Sequence, residues 1–204
     1  MSKILLVTSS PRGDESVSSK IAADLAQALA ASTGATIARR DVGQQPIAHL
    51  DTVTTAAIRK APADRTAEEA AAAKTSDTLI EELLSADQIV IGTGLINFNI
   101  YSGLKSWIDN IARAGATFRY TAAGPEGLAT GKKVYIVLAA AGVYSEGPAA
   151  GMNHAVPYLK TVLGFMGMTD IEVVYVEGLA FGPEAVAKAL ASAESRTAEL
   201  ARAA

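Results

Sequence analysis

Cysteine is absent from all 204 residues, which excludes disulfides, thiolate nucleophiles and cysteine-ligated zinc or iron–sulfur centres. Histidine is nearly as scarce: His49 and His154 lie far apart and belong to no spaced ligand motif, so neither a metal site nor a Ser-His-Asp triad is expected. Charge of one sign is also lacking. The formal net charge is only −3 and no Lys/Arg cluster occurs, which argues against a nucleic-acid partner. No apolar run is long enough to span a bilayer. The stretch Ile4 to Val7 after Lys3 is too short for a secretory signal and reads instead as a first strand. The expected location is therefore the cytoplasm, with no membrane partner. With these chemistries removed, any redox activity would have to come from a bound organic cofactor.

Half of the residues are hydrophobic and 19% are charged, a globular composition at a length expected of a single domain over residues 1–204. Short, mostly apolar, β-branched runs occur at Lys3–Thr8, Ala35–Arg40, Gln88–Thr93, Lys132–Ala139 and Asp170–Glu177. Their weak alternation suits strands buried on both faces of a parallel sheet. Helical patterns separate them. The first carries Val17, Ile21, Leu25 and Ala28 or Leu29 on one face and stops at Gly34, a C-terminal cap. The second covers Ala67–Ser85 and buries Leu79, Ile80, Leu83 and Leu84. The third spans Ser102–Ala114, with Leu104, Trp107, Ile108 and Ile111 at helical spacing, and the fourth lies near His154–Met166. The last begins at Pro183, with Glu184 and Lys188 spaced as a supporting pair. Residues 41–66 and 115–131 show no clear period; long irregular connections of this kind are often functional or interfacial.

Strands and helices in alternation predict an α/β fold, a doubly wound five-stranded parallel sheet with helices on both faces. The flavodoxin-like order 2-1-3-4-5 suits this strand count and places a ligand crevice beside the ends of the first and third strands. After the first strand comes Ser9-Ser10-Pro11-Arg12-Gly13-Asp14-Glu15-Ser16-Val17-Ser18. A helix N-terminus with hydroxyls of Ser10, Ser16 and Ser18 and the charge of Arg12 suits a terminal monophosphate, since neither a Walker loop nor G-x-G-x-x-G is present. Ser16 equally reads as a plain N-cap, and Asp14 and Glu15 oppose a dianion unless they point outward. After the third strand, Leu95, Ile96 and Phe98 offer an apolar lining, while Asn97 offers both donor and acceptor to the edge of a flavin pyrimidine ring. The alternative is an apolar loop whose asparagines satisfy a turn. After the fourth strand, Ala139, Ala140, Ala141 and Gly142 let a flat ring approach the backbone, or serve tight strand–helix packing. His154 reads as a surface or capping residue.

Longer ordered motifs run through the chain: Asn97-Phe98-Asn99-Ile100, Ala112-Arg113-Ala114-Gly115, Thr117-Phe118-Arg119-Tyr120-Thr121, Gly124-Pro125-Glu126-Gly127-Leu128, Thr130-Gly131-Lys132-Lys133, Tyr158-Leu159, Gly164-Phe165 and Glu177-Gly178. With the serine-rich first loop, they resemble the FMN-dependent NADH-azoreductase / NADH:quinone oxidoreductase family of flavodoxin-like enzymes, over essentially the whole chain. The resemblance implies a homodimer with FMN near the interface and a ping-pong cycle. NADH or NADPH gives a hydride to flavin N5, then a quinone or azo acceptor takes two electrons. It implies that Ser10, Ser16, Val17 and Ser18 hold the phosphate and ribityl end, and that Leu95, Ile96, Asn97, Phe98 and Ala139–Gly142 hold the ring. Tyr120 and Phe165 would wall the site of nicotinamide or acceptor. No side chain is expected to be catalytic in its own right, because the flavin performs the chemistry.

Two departures from the family pattern stand out. Leu95-Ile96-Asn97-Phe98 replaces Met-Tyr-Asn-Phe, and Ala139-Ala140-Ala141-Gly142 replaces Ser-Arg-Gly-Gly. The second removes a positive charge that would favour reduced anionic flavin. Competing functions are a flavodoxin-like one-electron carrier, though such carriers are usually far more acidic and lack the 115–131 segment, and a flavodoxin-like domain that has lost its flavin.

Overall fold

A computed structural model describes residues 2–204. Strands β1 (Lys3–Thr8), β2 (Thr36–Asp41), β3 (Gln88–Gly94), β6 (Lys133–Ala139) and β7 (Asp170–Val176) form one sheet in the order β2-β1-β3-β6-β7. Every pairing in it is parallel. Counting only these five, the order is the expected 2-1-3-4-5, and the strand boundaries differ from the sequence reading by no more than a residue at each end. The two remaining strands, β4 (Phe118–Thr121) and β5 (Gly124–Gly127), pair antiparallel as a separate hairpin.

Alternation along β1 assigns its side chains to two cores. Leu5 and Val7 face a cluster with Leu79, Ile80 and Leu83 of α3 (Ala67–Ser85), Leu104, Trp107, Ile108 and Ile111 of α4 (Ser102–Ile111), and Leu159 and Leu163 of α5 (Ala155–Phe165). Ile4 and Leu6 face the other cluster, with Ile21, Leu25 and Leu29 of α1 (Val17–Thr33) and Ala193 and Leu200 of α6 (Pro183–Arg202). β1, β3 and β6, the inner strands, are buried along nearly their whole length.

Four details depart from the sequence reading. Leu84 is 41% exposed, because it falls off the stripe formed by Leu79, Ile80 and Leu83. The third predicted helix stops at Ile111: Thr117 Oγ1 donates to the Ile111 carbonyl (2.6 Å) and accepts from the Arg113 N–H (3.0 Å), turning the chain away. Segment 41–66 contains a helix, α2 (Thr52–Arg59), capped by the Asp51 carboxylate, which accepts from the Thr54 N–H at 2.7 Å. Only Ala57 and Ile58 of α2 are buried, too few to impose a visible period. Among the described residues Glu184 and Lys188 form no ion pair; on α6 it is Arg196 that pairs, with Glu172 and Glu199.

A two-to-one ion network ties α2, α3 and the start of the hairpin segment. Asp77 accepts from Arg65 Nη1 (2.8 Å) and from Arg113 Nη1 (2.6 Å). Arg65 also donates to the Ala57 carbonyl (3.0 Å), and Arg113 to Ser76 Oγ (3.0 Å). Burial works to raise the Asp77 pKa, but hydrogen bonds and charge from Arg113 and Arg65 outweigh it and hold the carboxyl below its usual value. A depressed carboxylate contributes stability above its unfolded pKa that is lost as pH falls through the folded one. Asp77→Asn leaves two arginines, 3% and 12% exposed, without their counter-charge. A fully buried pair broken this way costs ~3–5 kcal/mol. Because the Asp77 side chain is 41% exposed, solvent screening reduces the expected loss to about 2 kcal/mol. Urea denaturation at neutral pH should show that loss, and the gap to the unaltered protein should narrow below about pH 4.

Candidate active site

Parallel strands deliver all of their C-terminal ends to one edge of the sheet. There the loops after β1, β3, β6 and β7 surround a cleft of about 280 Å³. Its lining includes Ser10, Ser16, Val17 and Ser18 from the first loop, Leu95 and Ile96 from the second, and Ala139, Ala140 and Ala141 from the third. Nine of the residues singled out from sequence thus meet in one place. Asn97, Phe98 and Gly142 sit in the same loops but do not line this cleft. Arg12, whose charge the sequence reading offered to a phosphate, is a tenth, and three lining residues were not singled out: Gly94, Leu179 and Ala180.

The first loop is held open by its own polar groups. Ser10 Oγ accepts from the Arg12 N–H (3.2 Å), and Ser16 Oγ accepts from the Ser19 N–H (3.2 Å) while contacting Ser18 Oγ (3.2 Å). Ser16 is therefore the N-cap of α1 and a cleft residue at once. The first N–H groups of the helix have no intrahelical acceptor, so the helix end offers donors into the cleft beside the hydroxyls. Arg12 is the single charged side chain lining the cleft among the described residues. Glu15 lies outward, 3.6 Å from Arg12, with both side chains well exposed. Asp14 lines a different hollow, on the far side of the loop with Lys20 and Arg39. From below, Gln44 Nε2 donates to the Pro11 carbonyl (3.2 Å), and the Asp41 carboxylate holds the Gly43 and Gln44 N–H groups at 2.9 and 3.0 Å.

The second loop is a tight two-residue hairpin. Ile96 and Asn99 exchange both backbone hydrogen bonds (2.8 and 3.0 Å), with Asn97 at φ 47° and Phe98 at φ 68° between them. Positive φ at both central positions defines a type I′ turn, which normally takes Asn-Gly. Asparagine tolerates this region, whereas phenylalanine is an outlier in it. A bulky residue kept in a strained conformation is a mark of functional placement. Neighbours over-determine the turn: the Phe98 carbonyl accepts from the His154 N–H at 2.9 Å, and the Phe98 ring meets Tyr144 edge-on at 6.2 Å. His154 is itself exposed at the start of α5, and its imidazole makes no capping bond.

The third and fourth loops are sewn together. The N–H groups of Gly178, Leu179 and Ala180 donate to the carbonyls of Gly142, Ala140 and Ala141 at 2.9, 3.2 and 2.9 Å. Glu177 accepts from the N–H of Tyr144 (2.7 Å) and of Ser145 (3.3 Å), fixing the far side of the third loop. Gly178 and Gly182, both at positive φ, bracket the segment that supplies Leu179 and Ala180. A short glycine-bounded run at the end of the last parallel strand was the sequence signal for this fourth wall.

Tyr120 and Phe165 stand elsewhere. Tyr120 projects from the β4–β5 hairpin, 74% exposed, and Phe165 from the last turn of α5, 36% exposed. Neither lines the cleft of its own chain.

The chain is matched over residues 2–201 by the model of the Flavodoxin_2 family, described as having a flavodoxin-like fold. The chain belongs to that family. It is 73% identical to a protein of Agrobacterium fabrum and 65% identical to one of Rhizobium johnstonii, covering 100% of each chain in both cases; both are named FMN-dependent NADH:quinone oxidoreductase. An azoreductase of Bacillus anthracis superposes with a TM-score of 0.89 at 33% identity, over 98% of this chain and 99% of that one. An FMN-dependent NADH-azoreductase of the same species, solved in complex with FMN, superposes with a TM-score of 0.86 at 27% identity, over 98% and 100%. The resemblance read from the motifs is borne out by these relatives.

Proposed function

We propose that the chain is an FMN-dependent NADH:quinone oxidoreductase that also reduces azo compounds, folded as one domain and acting in the cytoplasm as a homodimer. The observation that carries this reading is the division of one cleft into two chemistries. At one end lie the α1 N-terminus, Ser10, Ser16, Ser18 and Arg12; at the other, a slot of Leu95, Ile96, Ala139, Ala140, Ala141 and Leu179 without a charged side chain. That donor set fits FMN, with its terminal phosphate and its flat ring joined by a polyol. Bound there, FMN supplies two-electron hydride chemistry at N5, with NADH or NADPH as donor and the acceptor following in ping-pong order.

The chain's own residues bind and orient. Val17 and Ser18 present N–H groups to the phosphate, and the alanines admit the ring edge to the backbone. Asn97 and Phe98, on the strained turn that follows the lining residues Leu95 and Ile96, would approach a bound ring from outside the cleft, Asn97 as donor and acceptor at its polar edge. The apolar walls exclude water from the ring. The homodimer is supported by apolar surface that a single chain leaves exposed. The exposed apolar residues Ile96, Phe98, Tyr120 and Phe165 are what a second copy would cover. In that arrangement Tyr120 and Phe165 wall the partner's cleft and stack on nicotinamide or acceptor.

The deciding experiment is the visible spectrum of the purified protein under anaerobic titration with NADH, then NADPH, then a quinone. Yellow protein bleached by nicotinamide and recoloured by quinone is the expected result, with light scattering at the mass of a dimer. Colourless protein that cannot be reconstituted with FMN overturns the reading. Yellow protein that neither nicotinamide bleaches is a one-electron carrier.

A further inference from the structure

The β4–β5 hairpin and the turn after α5 meet through bare backbone. Gly127, paired with Phe118 across the hairpin, lies so close to the chain at Gly167 that a Cβ on it would overlap the Gly167 amide nitrogen and Cα. Gly167 has φ +98°, and a Cβ there would meet Thr130 Cγ2 at 3.0 Å and the Gly127 carbonyl carbon at 3.1 Å. Hydrogen bonds flank the seam: Ala129 N–H to the Met166 carbonyl and Leu128 N–H to the Thr117 carbonyl, each at 2.9 Å. Phe118, 9% exposed, is wedged between the two exposed rings. Its centroid is 5.6 Å from Tyr120, edge-on, and 4.5 Å from Phe165.

Tyr120 and Phe165 thus stand on different elements, 45 positions apart in the chain, yet share one backbone seam. We propose that Gly127 and Gly167 are positioning residues that set the spacing between Tyr120 and Phe165, and through it the size of planar aromatic acceptor the enzyme takes. The inference rests on the reading that these two rings form the acceptor wall. Non-bonded carbon contacts relax only near ~3.5–4.0 Å, so a methyl at 127 must push the hairpin outward by more than about 1 Å. A displacement of that size in a positioning element is enough to cost up to ~100-fold in rate. The seam lies outside the flavin cleft, so the grip on FMN is left alone.

The test uses full-length holoenzyme carrying Gly127→Ala. Anthraquinone-2-sulfonate is titrated into oxidised enzyme without NADH and followed by the change in flavin absorption. KM and kcat are then measured for anthraquinone-2-sulfonate and for the smaller benzoquinone. The expected result is a dissociation constant for the anthraquinone raised about tenfold, with its KM rising in step. Benzoquinone KM should change far less, and FMN content should equal that of the unaltered protein. A residue that served stability alone would lower the melting temperature without this split by acceptor size. Gly167→Asn is the milder second variant, since asparagine accepts positive φ best among residues with a Cβ and its Cβ asks only a few tenths of an ångström from its neighbours; a smaller shift in the same direction is expected. Unchanged anthraquinone binding in both glycine variants, with Tyr120→Ala weakened, overturns the positioning role alone. Unchanged binding in Tyr120→Ala overturns the acceptor wall itself.

Discussion

Asn97→Gly is expected to leave folding stability within about 0.5 kcal/mol of the unaltered protein while weakening FMN about thirtyfold. The two halves of that expectation come from separate properties of one residue. Its backbone holds the first central position of a type I′ turn at φ 47°, a conformation glycine adopts without cost. The Ile96–Asn99 hydrogen bonds that close the turn involve neither side chain, so the turn survives. The amide is lost, and with it a donor and an acceptor. At a net ~0.5–1.5 kcal/mol each, their joint removal comes to about 2 kcal/mol, or a factor of about thirty. Alanine would confuse the result, since a Cβ at positive φ costs ~1–2 kcal/mol by itself. FMN affinity is read from flavin fluorescence on titration into flavin-free protein, and stability from urea denaturation. Equal affinity in Asn97→Gly would make Asn97 a turn residue and nothing more.

That ambiguity was already present in the sequence, where Asn97 read either as a ring-edge group or as a turn residue. The backbone makes it a turn residue at φ 47°, and the ring-edge role is what Asn97→Gly tests. Phe98 was legible only as an apolar lining residue; its φ of 68° is invisible in a sequence, because nothing about phenylalanine predicts a place where glycine is usual. The strand–helix alternation was readable because the inner strands are buried on both faces and their composition follows directly. Helix α2 was not readable, since it buries only Ala57 and Ile58 against α3 and its one clear signal is the cap at Asp51. The β4–β5 hairpin escaped for a related reason. Its strands are four residues each and mostly exposed, with Phe118 the single buried residue, so they carry no alternation to read.

The cleft divides in the same manner. Ser16 and Ser18, Leu95 and Ile96, and the alanines after β6 were found because they follow strands, and every strand of a parallel sheet ends at the same edge. By that logic the loop after β7 belonged there too, yet Leu179 and Ala180 carry no polar group to draw notice. Their contribution is through backbone N–H groups donated to Ala140 and Ala141. Tyr120 and Phe165 were named from motif likeness alone. Within one chain they do not line the cleft, so the role proposed for them requires a second copy of the chain.

Ser18→Asp places a carboxylate at the end of the cleft assigned to phosphate, and should separate the binding of FMN from that of riboflavin. Acidic groups in the first turn of a helix are favourable by ~0.3–1 kcal/mol, and α1 has none there. Ser18 is only 2% exposed, however, so the cost of desolvating a carboxylate offsets that gain, and flavin-free protein should melt no higher than the unaltered protein. Against a phosphate in the same turn the carboxylate is repulsive. A like-charge pair at ~4 Å and an effective dielectric near 20 is worth ~4 kcal/mol, so even after screening FMN should weaken by at least about a hundredfold. Riboflavin, which lacks the phosphate, should bind as it does to the unaltered protein. Equal losses for FMN and riboflavin would mean that the phosphate lies elsewhere. The same variant tests the partner's contribution. As a homodimer Ser18→Asp lacks flavin, and Tyr120→Ala keeps flavin but lacks the wall. Subunit exchange between them creates one complete site, with the flavin cleft from one chain and Tyr120 from the other. Recovery of quinone reductase activity on mixing is the expected outcome; activity no higher than the sum of the separate variants would place Tyr120 and the flavin it serves in the same chain.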